Sequence, residues 1–319
     1  MRKFPGTICD LLGIDYPVIQ GGMAWVSNAS LAAAVSKAGG LGVIAAGNAP
    51  PQWVREQIQE VRKQTDKPFG LNVMMLSPFA DDVAKIVVEE KVPVVITGAG
   101  NPAGYIKKWK AAGCIVGPVV ASKALAKLMQ RMGADFLIAE GSEAGGHIGE
   151  LTTMVLMPNI VSKVKIPVVA AGGIFDASTV AAAFCLGAAG VQVGTRFILA
   201  EECTAHEEYK RRLIKAKDID SKVSGRITGH PVRLLRSPLS NEMAKIEYED
   251  NAVKKLEKLG EGSLQSAVMT GDKDESSFMA GQCACMLSDE QPASQIVREL
   301  FDEKIMGSLI GGLKKQLMG

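Results

Sequence analysis

The sequence has no long hydrophobic run and no secretory signal. No apolar stretch reaches the roughly 18 residues that a membrane-spanning helix requires. The basic start MRKFPGTICD is not followed by an apolar segment, so the pattern of a signal peptide is missing. These two absences predict a cytoplasmic protein that does not enter a membrane.

An excess of charge of one sign is also missing. The sequence holds 36 Lys and Arg against 34 Asp and Glu, which is a formal net charge of +2. That balance provides no general attraction to nucleic acid, and no nucleic-acid partner is expected. With 47% hydrophobic and 22% charged residues, the 319-residue chain has the composition of an ordinary globular protein.

Cysteine is sparse, and its spacing matches no known motif. The two closest cysteines, in Cys283-Ala-Cys285, lack the C-x-x-C spacing of redox and zinc motifs, and the other four are scattered. Without a secretion signal, the thiols are expected to stay reduced. We predict that all six cysteines pack as small apolar side chains and take no part in redox chemistry.

The sequence does contain a regular alternation of short apolar runs and helical segments over its first 200 residues. The runs are rich in Val and Ile, which is typical of parallel strands covered on both faces. About eight such units favour a closed α/β fold, the (β/α)8 TIM barrel, over an open doubly wound sheet. The dinucleotide fingerprint of the open sheet has only a weak counterpart at Gly40-Leu41-Gly42, which precedes a strand instead of following one. The predicted strands are 17–20, 42–46, 69–73, 94–97, 114–120, 135–139, 167–171 and 190–193.

Glycine and small polar residues collect where these strands end, which is where barrels of this type hold their active sites. Gly172-Gly173 and Gly194-Thr195 follow the seventh and eighth strands, the usual phosphate position. Their backbone N–H groups and the threonine hydroxyl could bind a phosphate dianion. The alternative is that these glycines only close tight turns between strand and helix.

The segment 139–150, AEGSEAGGHIGE, places His147 among four glycines directly after the sixth strand. Histidine can donate or accept a proton near neutral pH, and the glycines leave its ring accessible. We interpret the segment as an active-site loop that presents His147 over a bound cofactor. The alternative is a glycine-rich turn with a solvent-facing histidine.

The strand–helix rhythm stops after residue 200. The segment 201–260 is strongly charged and includes a basic cluster formed by Lys210, Arg211, Arg212, Lys215 and Lys217. The cluster could meet an acidic partner or a cofactor phosphate, or it could be the solvated face of a helix. We predict three parts: a barrel over 1–200, a small cap domain over 201–275, and a C-terminal segment, 276–319, that returns to the site and ends in an amphipathic helix over 292–318.

Eight motifs in order along the chain carry a family resemblance. They are IQGGMAW at 19–25, AGGLG at 38–42, PFGLN at 68–72, TGAGNP at 97–102, AEGSEAGGHIG at 139–149, AAGGI at 170–174, VQVGTRF at 191–197 and MAGQ at 279–282. Together they resemble the flavin-dependent enoyl-acyl carrier protein reductases (enoyl reductase II), which share an FMN-binding barrel superfamily with the nitronate monooxygenases.

The resemblance implies FMN as cofactor, NADH or NADPH as reductant, a homodimer, and the last reductive step of fatty-acid elongation on an enoyl thioester of acyl carrier protein. It implies that His147 is catalytic. A monovalent cation activates members of this family, but no motif here locates its site. The FMN-binding positions that the resemblance implies are Gly22, Met23, Ala24, Asn72, Thr97, Glu140, Ser142, Gly145, Gly146, Gly172, Gly173, Gln192, Gly194, Thr195, Met279, Gly281 and Gln282.

Three other functions remain open: nitronate oxidation, a different enzyme on the same barrel, and flavin binding without catalysis. Ile148 favours enoyl reduction, because the monooxygenase version of this loop usually has a basic residue directly after the histidine. Five methionines could line an apolar substrate channel or simply belong to the core. They are Met23, Met74, Met75, Met154 and Met279.

Overall fold

Eight parallel strands close into a barrel in the computed structural model, which describes residues 7–318 but not the side chains at positions 7, 310, 313, 317 and 318. A bridge between Ile19 and Leu41 joins the first strand to the second and completes the ring. The predicted (β/α)8 barrel is therefore confirmed. The barrel strands are β1 (Val18–Gln20), β2 (Gly42–Ala45), β3 (Phe69–Met74), β4 (Val94–Gly98), β5 (Ile115–Val120), β6 (Leu137–Glu140), β8 (Val168–Ala171) and β9 (Gly190–Val193), and β7 (Gly146–His147) lies outside the ring.

Two apolar layers stabilise the barrel. The inner layer fills the ring, and Phe136 lies across it opposite Gly117, where an added Cβ would be only 2.0 Å from the phenyl Cζ. The outer layer packs the strands against the surrounding helices. The helices up to the cap are α1 (Thr7–Leu12), α2 (Ala29–Lys37), α3 (Pro51–Gln64), α4 (Ala80–Glu89), α5 (Ala103–Ala111), α6 (Lys123–Met132), α7 (Thr153–Val161), α8 (Ala177–Cys185) and α9 (Thr195–Ile198).

Local side chains define where several of these helices begin. At α8, the carboxylate of Asp176 accepts a hydrogen bond from the Thr179 N–H at 2.8 Å, and the Thr179 hydroxyl accepts one from the Asp176 N–H at 3.0 Å. This reciprocal capping satisfies backbone donors that the first helical turn leaves unpaired. No helix in the described part of the chain is long and apolar enough to span a membrane.

A cap follows the barrel strands. It contains α10 (Glu207–Ile214), β10 (Ser221–Ser224), β11 (Val232–Leu235), α11 (Pro238–Ile246), α12 (Ala252–Gly260) and α13 (Ser263–Met269). Strand β11 pairs antiparallel with β10 on one side and with β7 on the other, where Val232 lies opposite His147. The predicted loop around His147 is thus partly a strand. The smaller unit after the eighth strand is confirmed, while its boundaries at 201 and 275 stay a prediction.

The C-terminal segment differs from the single helix predicted over 292–318. It forms α14 (Ala293–Leu300) and α15 (Glu303–Met318), with a break at Phe301 and Asp302. The Asp302 carboxylate accepts hydrogen bonds from the N–H groups of Lys304 and Ile305, at 2.9 and 3.0 Å, and so begins a new helix. Helix α14 packs against α2 and α8, where it completes the outer ring of the barrel.

The basic cluster of α10 is neither a free patch nor simply a solvated face. Lys210 is only 7% exposed and forms an ion pair with Glu290 at 2.6 Å. Arg211 and Arg212 both pair with Glu208, at 2.6 and 2.9 Å. The Arg212 guanidinium also lies 4.4 Å from the centre of the Phe278 ring. These contacts occupy three members of the cluster within the protein.

Candidate active site

A cavity of about 470 Å³ lies at the carboxyl ends of the barrel strands and extends under the cap. All but three of the residues predicted for the site contribute to its wall. Those that line it are Gly22, Met23, Ala24, Asn72, Glu140, Gly145, Gly146, His147, Gly172, Gly173, Gln192, Gly194, Thr195, Met279 and Gly281.

Three predicted site residues do not reach the cavity. Thr97 is buried inside the barrel wall, where β4 pairs with β3. The backbone of Ser142 is held between Leu151 and Arg233, and the side chain of Gln282 is exposed to solvent. Of the five methionines, Met23, Met74 and Met279 line the cavity, whereas Met154 is 66% exposed on α7.

The two glycine turns predicted to bind phosphate are neighbours in space. Strands β8 and β9 pair so that Ala171 lies opposite Gln192, which brings their following turns together. Gly172 and Gly173 have φ angles of 95° and 76°, in the left-handed region that favours glycine. The Thr195 hydroxyl accepts a hydrogen bond from the Gly281 N–H at 2.9 Å, so the C-terminal segment closes this end of the cavity.

Two side chains present unpaired acceptors at the cavity. Asn72 Oδ1 and Gln192 Oε1 are buried and have no hydrogen-bond partner among the described residues. Leaving such an atom unpaired costs about 1–3 kcal/mol, so a ligand that donates to it is favoured. A flavin carries donors of this kind on its ring and on its ribityl chain. Gly22 lies so close to Asn72 that an added Cβ would be 2.3 Å from Nδ2, which requires glycine there.

The Glu140 carboxyl ends β6 and faces the same cavity. Burial, which disfavours the charged form, raises its pKa to about 7. Near neutral pH this carboxyl is therefore partly protonated, and it can donate as well as accept a hydrogen bond. Both abilities suit hydroxyl groups such as those of a ribityl chain.

His147 is held in place by its backbone. Gly145 lies against the cap-side segment so tightly that an added Cβ would be 2.6 Å from the Ala280 carbonyl carbon. Next to His147, the Ile148 N–H donates to the Pro231 carbonyl at 3.1 Å. His147 is exposed to solvent where it lines the cavity, yet the surrounding protein lowers the pKa of its imidazole, first by desolvation and then through the nearby His230. The lowered pKa favours the neutral imidazole, which has one N–H donor.

The loop that precedes His147 is fixed from both sides. From the barrel, the Glu143 carboxylate accepts hydrogen bonds from the Thr153 N–H at 2.9 and 3.0 Å. From the cap, Arg233 Nε donates to the Ser142 carbonyl at 2.9 Å. The seam between barrel and cap therefore sets the position of the candidate catalytic residue.

Several residues that line the cavity were not singled out by the sequence. Trp25 lines it with a φ of 64°, a conformation that non-glycine residues rarely adopt. His230, Val232, Met243 and Leu256 line it from the cap. Trp25 carried a signal, because it belongs to the motif at 19–25 and follows Ala24, and His230 carried one as one of three histidines. The other three reach the cavity through contacts distant in sequence.

A metal centre finds no support in the part of the chain from residue 7 to 318. No group of three or more His, Cys, Asp or Glu side chains there could hold a metal ion. The monovalent cation that the resemblance implies stays a prediction without a located site.

Comparison with known proteins agrees with this geometry. The model of the family described as nitronate monooxygenase matches residues 6–87 and 78–303. The chain therefore belongs to the nitronate monooxygenase family, whose members are oxidoreductases that depend on flavin.

The names of the individual relatives indicate different activities. A protein of Mycobacterium tuberculosis named (3aS,4S,5R,7aS)-5-hydroxy-7a-methyl-1-oxo-octahydro-1H-indene-4-carboxyl-CoA dehydrogenase is 38% identical over 239 residues, which cover 74% of this chain and 67% of that protein. A probable nitronate monooxygenase of Staphylococcus aureus is 31% identical over 342 residues, covering 93% and 96%.

Two solved structures cover nearly the whole chain. FabK from Thermotoga maritima, an enoyl-acyl carrier protein reductase II, superposes with a TM-score of 0.95 at 46% identity and covers 98% of this chain and 100% of that one. A nitroalkane oxidase from Streptomyces ansochromogenes has a TM-score of 0.84 at 29% identity and covers 95% and 99%. The resemblance to enoyl reductase II is thus confirmed.

Proposed function

We propose that this protein is an FMN-dependent enoyl-acyl carrier protein reductase that uses NADH or NADPH and acts in the cytoplasm. One observation carries the choice of substrate. No lysine or arginine among the described residues lines the cavity, whose wall next to His147 includes Met279 and Val232. A neutral enoyl thioester with an apolar chain suits such a wall, whereas a nitronate anion would find no cation.

The same wall is compatible with the FMN phosphate. Backbone N–H groups of Gly172, Gly173 and Gly194 and the Thr195 hydroxyl can bind a phosphate without a basic side chain. Asn72 and Gln192 would accept hydrogen bonds from the flavin, and Glu140 would contact its ribityl hydroxyls. When bound, FMN supplies the transfer of hydride from the nicotinamide to the β-carbon of the enoyl thioester.

His147 acts on the other end of the double bond. Its neutral imidazole donates a hydrogen bond to the thioester oxygen, where negative charge develops during hydride addition. The same N–H can deliver the proton to the α-carbon, and the imidazole then regains a proton from solvent. The lowered pKa of His147 suits the hydrogen-bonding role, because a neutral imidazole has a donor without repelling the positively charged ring of the oxidised nicotinamide.

The partners are proposals of the same kind. Acyl carrier protein is acidic, and the basic cluster of α10 offered a surface for it in the sequence. The ion pairs of Lys210, Arg211 and Arg212 leave Lys215 and Lys217 as its exposed members outside those pairs. A homodimer is proposed from the family resemblance alone.

Nitronate oxidation is the second candidate, favoured by the family model and by the relatives from Staphylococcus aureus. One experiment separates the two. Under anaerobic conditions, NADH or NADPH should bleach the yellow protein, and crotonyl thioester should restore the colour. Rapid oxidation of alkyl nitronates in air, without recolouring by crotonyl thioester, would reverse the assignment. A protein that NAD(P)H does not bleach and that oxidises no nitronate would be a flavin binder without catalysis.

A further inference from the structure

The cavity continues past the predicted FMN site into the interior of the cap. Met243 and Leu256, from α11 and α12, belong to the cap's own apolar core and also line the cavity. Cores of small domains are normally packed to crystal-like density, with few voids larger than a water molecule. Here two members of that core, Met243 and Leu256, each 5% exposed, still line the cavity. We call this part of the wall the cap annex: Val232, Met243, Leu256, Gly260 and Met279.

The annex is continuous with the candidate catalytic loop. At Gly146, directly before His147, an added Cβ would be 3.7 Å from Met279 Sδ. Met279 packs against the cap core, and its carbonyl accepts a hydrogen bond from the Tyr209 hydroxyl at 2.5 Å. At the far side, an added Cβ at Gly260 would be 3.8 Å from Met243 Cε. An apolar path thus leads from His147 past Met279 to Met243.

The apolar side chains of this path favour a hydrocarbon chain as the ligand. The side chains that define the annex are aliphatic or thioether, with the exposed Glu257 as a charged neighbour in the cavity wall, and methionine adapts to chains of different shape. The nicotinamide cofactor is polar and anionic, so it gains little from such a wall. A hydrocarbon chain gains about 0.8 kcal/mol for each buried methylene, which is about fourfold in affinity.

We propose that the cap annex binds the acyl chain of the substrate, and that Met243, Leu256 and Gly260 set the chain length that the enzyme accepts. The proposal rests on the proposed enoyl reduction, because it requires an acyl thioester beside His147. Gly260 ends α12 without a left-handed φ, and its added Cβ would make an ordinary van der Waals contact. A larger side chain there narrows the annex without straining the backbone.

The test compares trans-2-dodecenoyl with crotonyl thioester on the FMN-loaded enzyme. In Gly260→Leu, the ratio of kcat/KM for the long substrate over the short one should fall at least tenfold. The matched control is Gly307→Leu in α15, where nothing lies within 4 Å of an added Cβ, and the ratio should not change. Met243→Ala widens the annex and should raise the ratio, so the proposal stays testable if Gly260→Leu does not fold.

A binding measurement separates this proposal from the proposed function. Dodecanoyl thioester, a saturated chain that cannot turn over, should perturb the flavin absorbance of the wild type and bind at least tenfold more weakly to Gly260→Leu. Equal ratios and equal binding in the wild type and both annex variants would overturn the annex. Failure of the wild type to reduce either enoyl substrate, with chain-dependent binding intact, would instead overturn the proposed function.

Discussion

The carboxyl ends of the barrel strands, here called the rim, and the cap both line the cavity. The residues of these two regions are brought together in different ways. On the rim, the ends of neighbouring strands bring Asn72, Glu140, Gly172 and Gln192 together, because parallel pairing forces those ends to one side. The cap reaches the cavity through contacts between segments distant in sequence, among them the pairing of β11 with β7 and the hydrogen bond from Arg233 to Ser142. We therefore propose that the rim binds the cofactor and that the cap selects the substrate.

The largest effect should come from a substitution in the rim at the expected phosphate position. Gly173→Asp places a carboxylate beside Glu143, at the expected phosphate position, and should yield a colourless, inactive protein. Its melting temperature should fall, since bound ligand at a hundredfold excess over Kd stabilises the fold by about 2.7 kcal/mol.

Gly113→Asp is the matched control for this change. Gly113 also has a left-handed φ, 85°, but nothing lies within 4 Å of an added Cβ, and it does not line the cavity. The variant carries the same backbone strain and the same charge, so it should keep its FMN. Equal flavin content in the two variants, read from absorbance, would remove the phosphate assignment.

The next largest effect is expected at His147, which lies where the rim and the cap meet. His147→Ala should lower kcat for crotonyl thioester by about 10²–10⁴-fold, which is typical for the loss of a positioned proton donor, while FMN stays bound. His206→Asn is a suitable control, because His206 only caps α10 by accepting from the Glu208 N–H at 3.1 Å. A His147→Ala enzyme with normal kcat would contradict the assigned role.

The stability that the rim residue Glu140 contributes should depend on pH. Its folded pKa of about 7 lies above the ordinary 4.5, so the folded rim holds a proton that the unfolded chain releases. This contribution to stability is fully present below pH 4.5 and is lost as the pH rises through 7, by up to about 3 kcal/mol. In flavin-free Glu140→Gln, denaturant unfolding between pH 5 and 8 should lack that decline. An unchanged slope would show that Glu140 titrates normally.

A smaller effect is expected when a cap residue that contacts the loop before His147 is replaced. Arg233 is buried and donates to the Ser142 carbonyl and to the Ser221 hydroxyl, both at 2.9 Å. Arg233→Met should cost about 1–3 kcal/mol of unfolding free energy and raise KM for the thioester without loss of FMN. In Arg226→Met, which breaks an exposed pair with Glu150, the cost should stay below about 1 kcal/mol. Equal costs would mean that Arg233 does not hold the cap.

The smallest effect should follow changes to the cysteines, none of which forms a disulfide in the described residues. Cys283 lines the cavity, but burial raises its pKa to about 11, so it is a neutral thiol at physiological pH. Intact mass should show no disulfide, and alkylation at pH 8 should label exposed Cys185 before Cys283. Cys285→Ser should keep full activity; a catalytic loss with the fold intact would contradict the prediction.

The rim was predictable because its signals are local. Apolar runs of strand length, closed by glycine, predicted the barrel and the side on which Gly172, Gly194 and His147 would meet. Thr97 shows the limit of that argument, because a strand end in sequence need not point its side chain at the cavity. The methionines show the same limit, since nothing in the sequence distinguishes Met279, which lines the cavity, from the exposed Met154.

The cap was not predictable in the same way. The charge pattern of α10 suggested a solvated face or an acidic partner, yet Lys210 is buried against Glu290, 80 residues away. The break between α14 and α15 had one local signal, the helix-capping Asp302, but the return of α14 to the barrel requires contacts with α2 and α8.

By itself, then, the sequence determined the strands, most of the helices and the glycine turns, because these follow from periodicity and from backbone conformations that only glycine adopts readily. The tertiary structure alone decided that β11 pairs with the strand of His147, and that Met243 and Leu256 face the cavity. Such contacts depend on which distant segments pack together, and the periodicity of one segment carries no information about its partner.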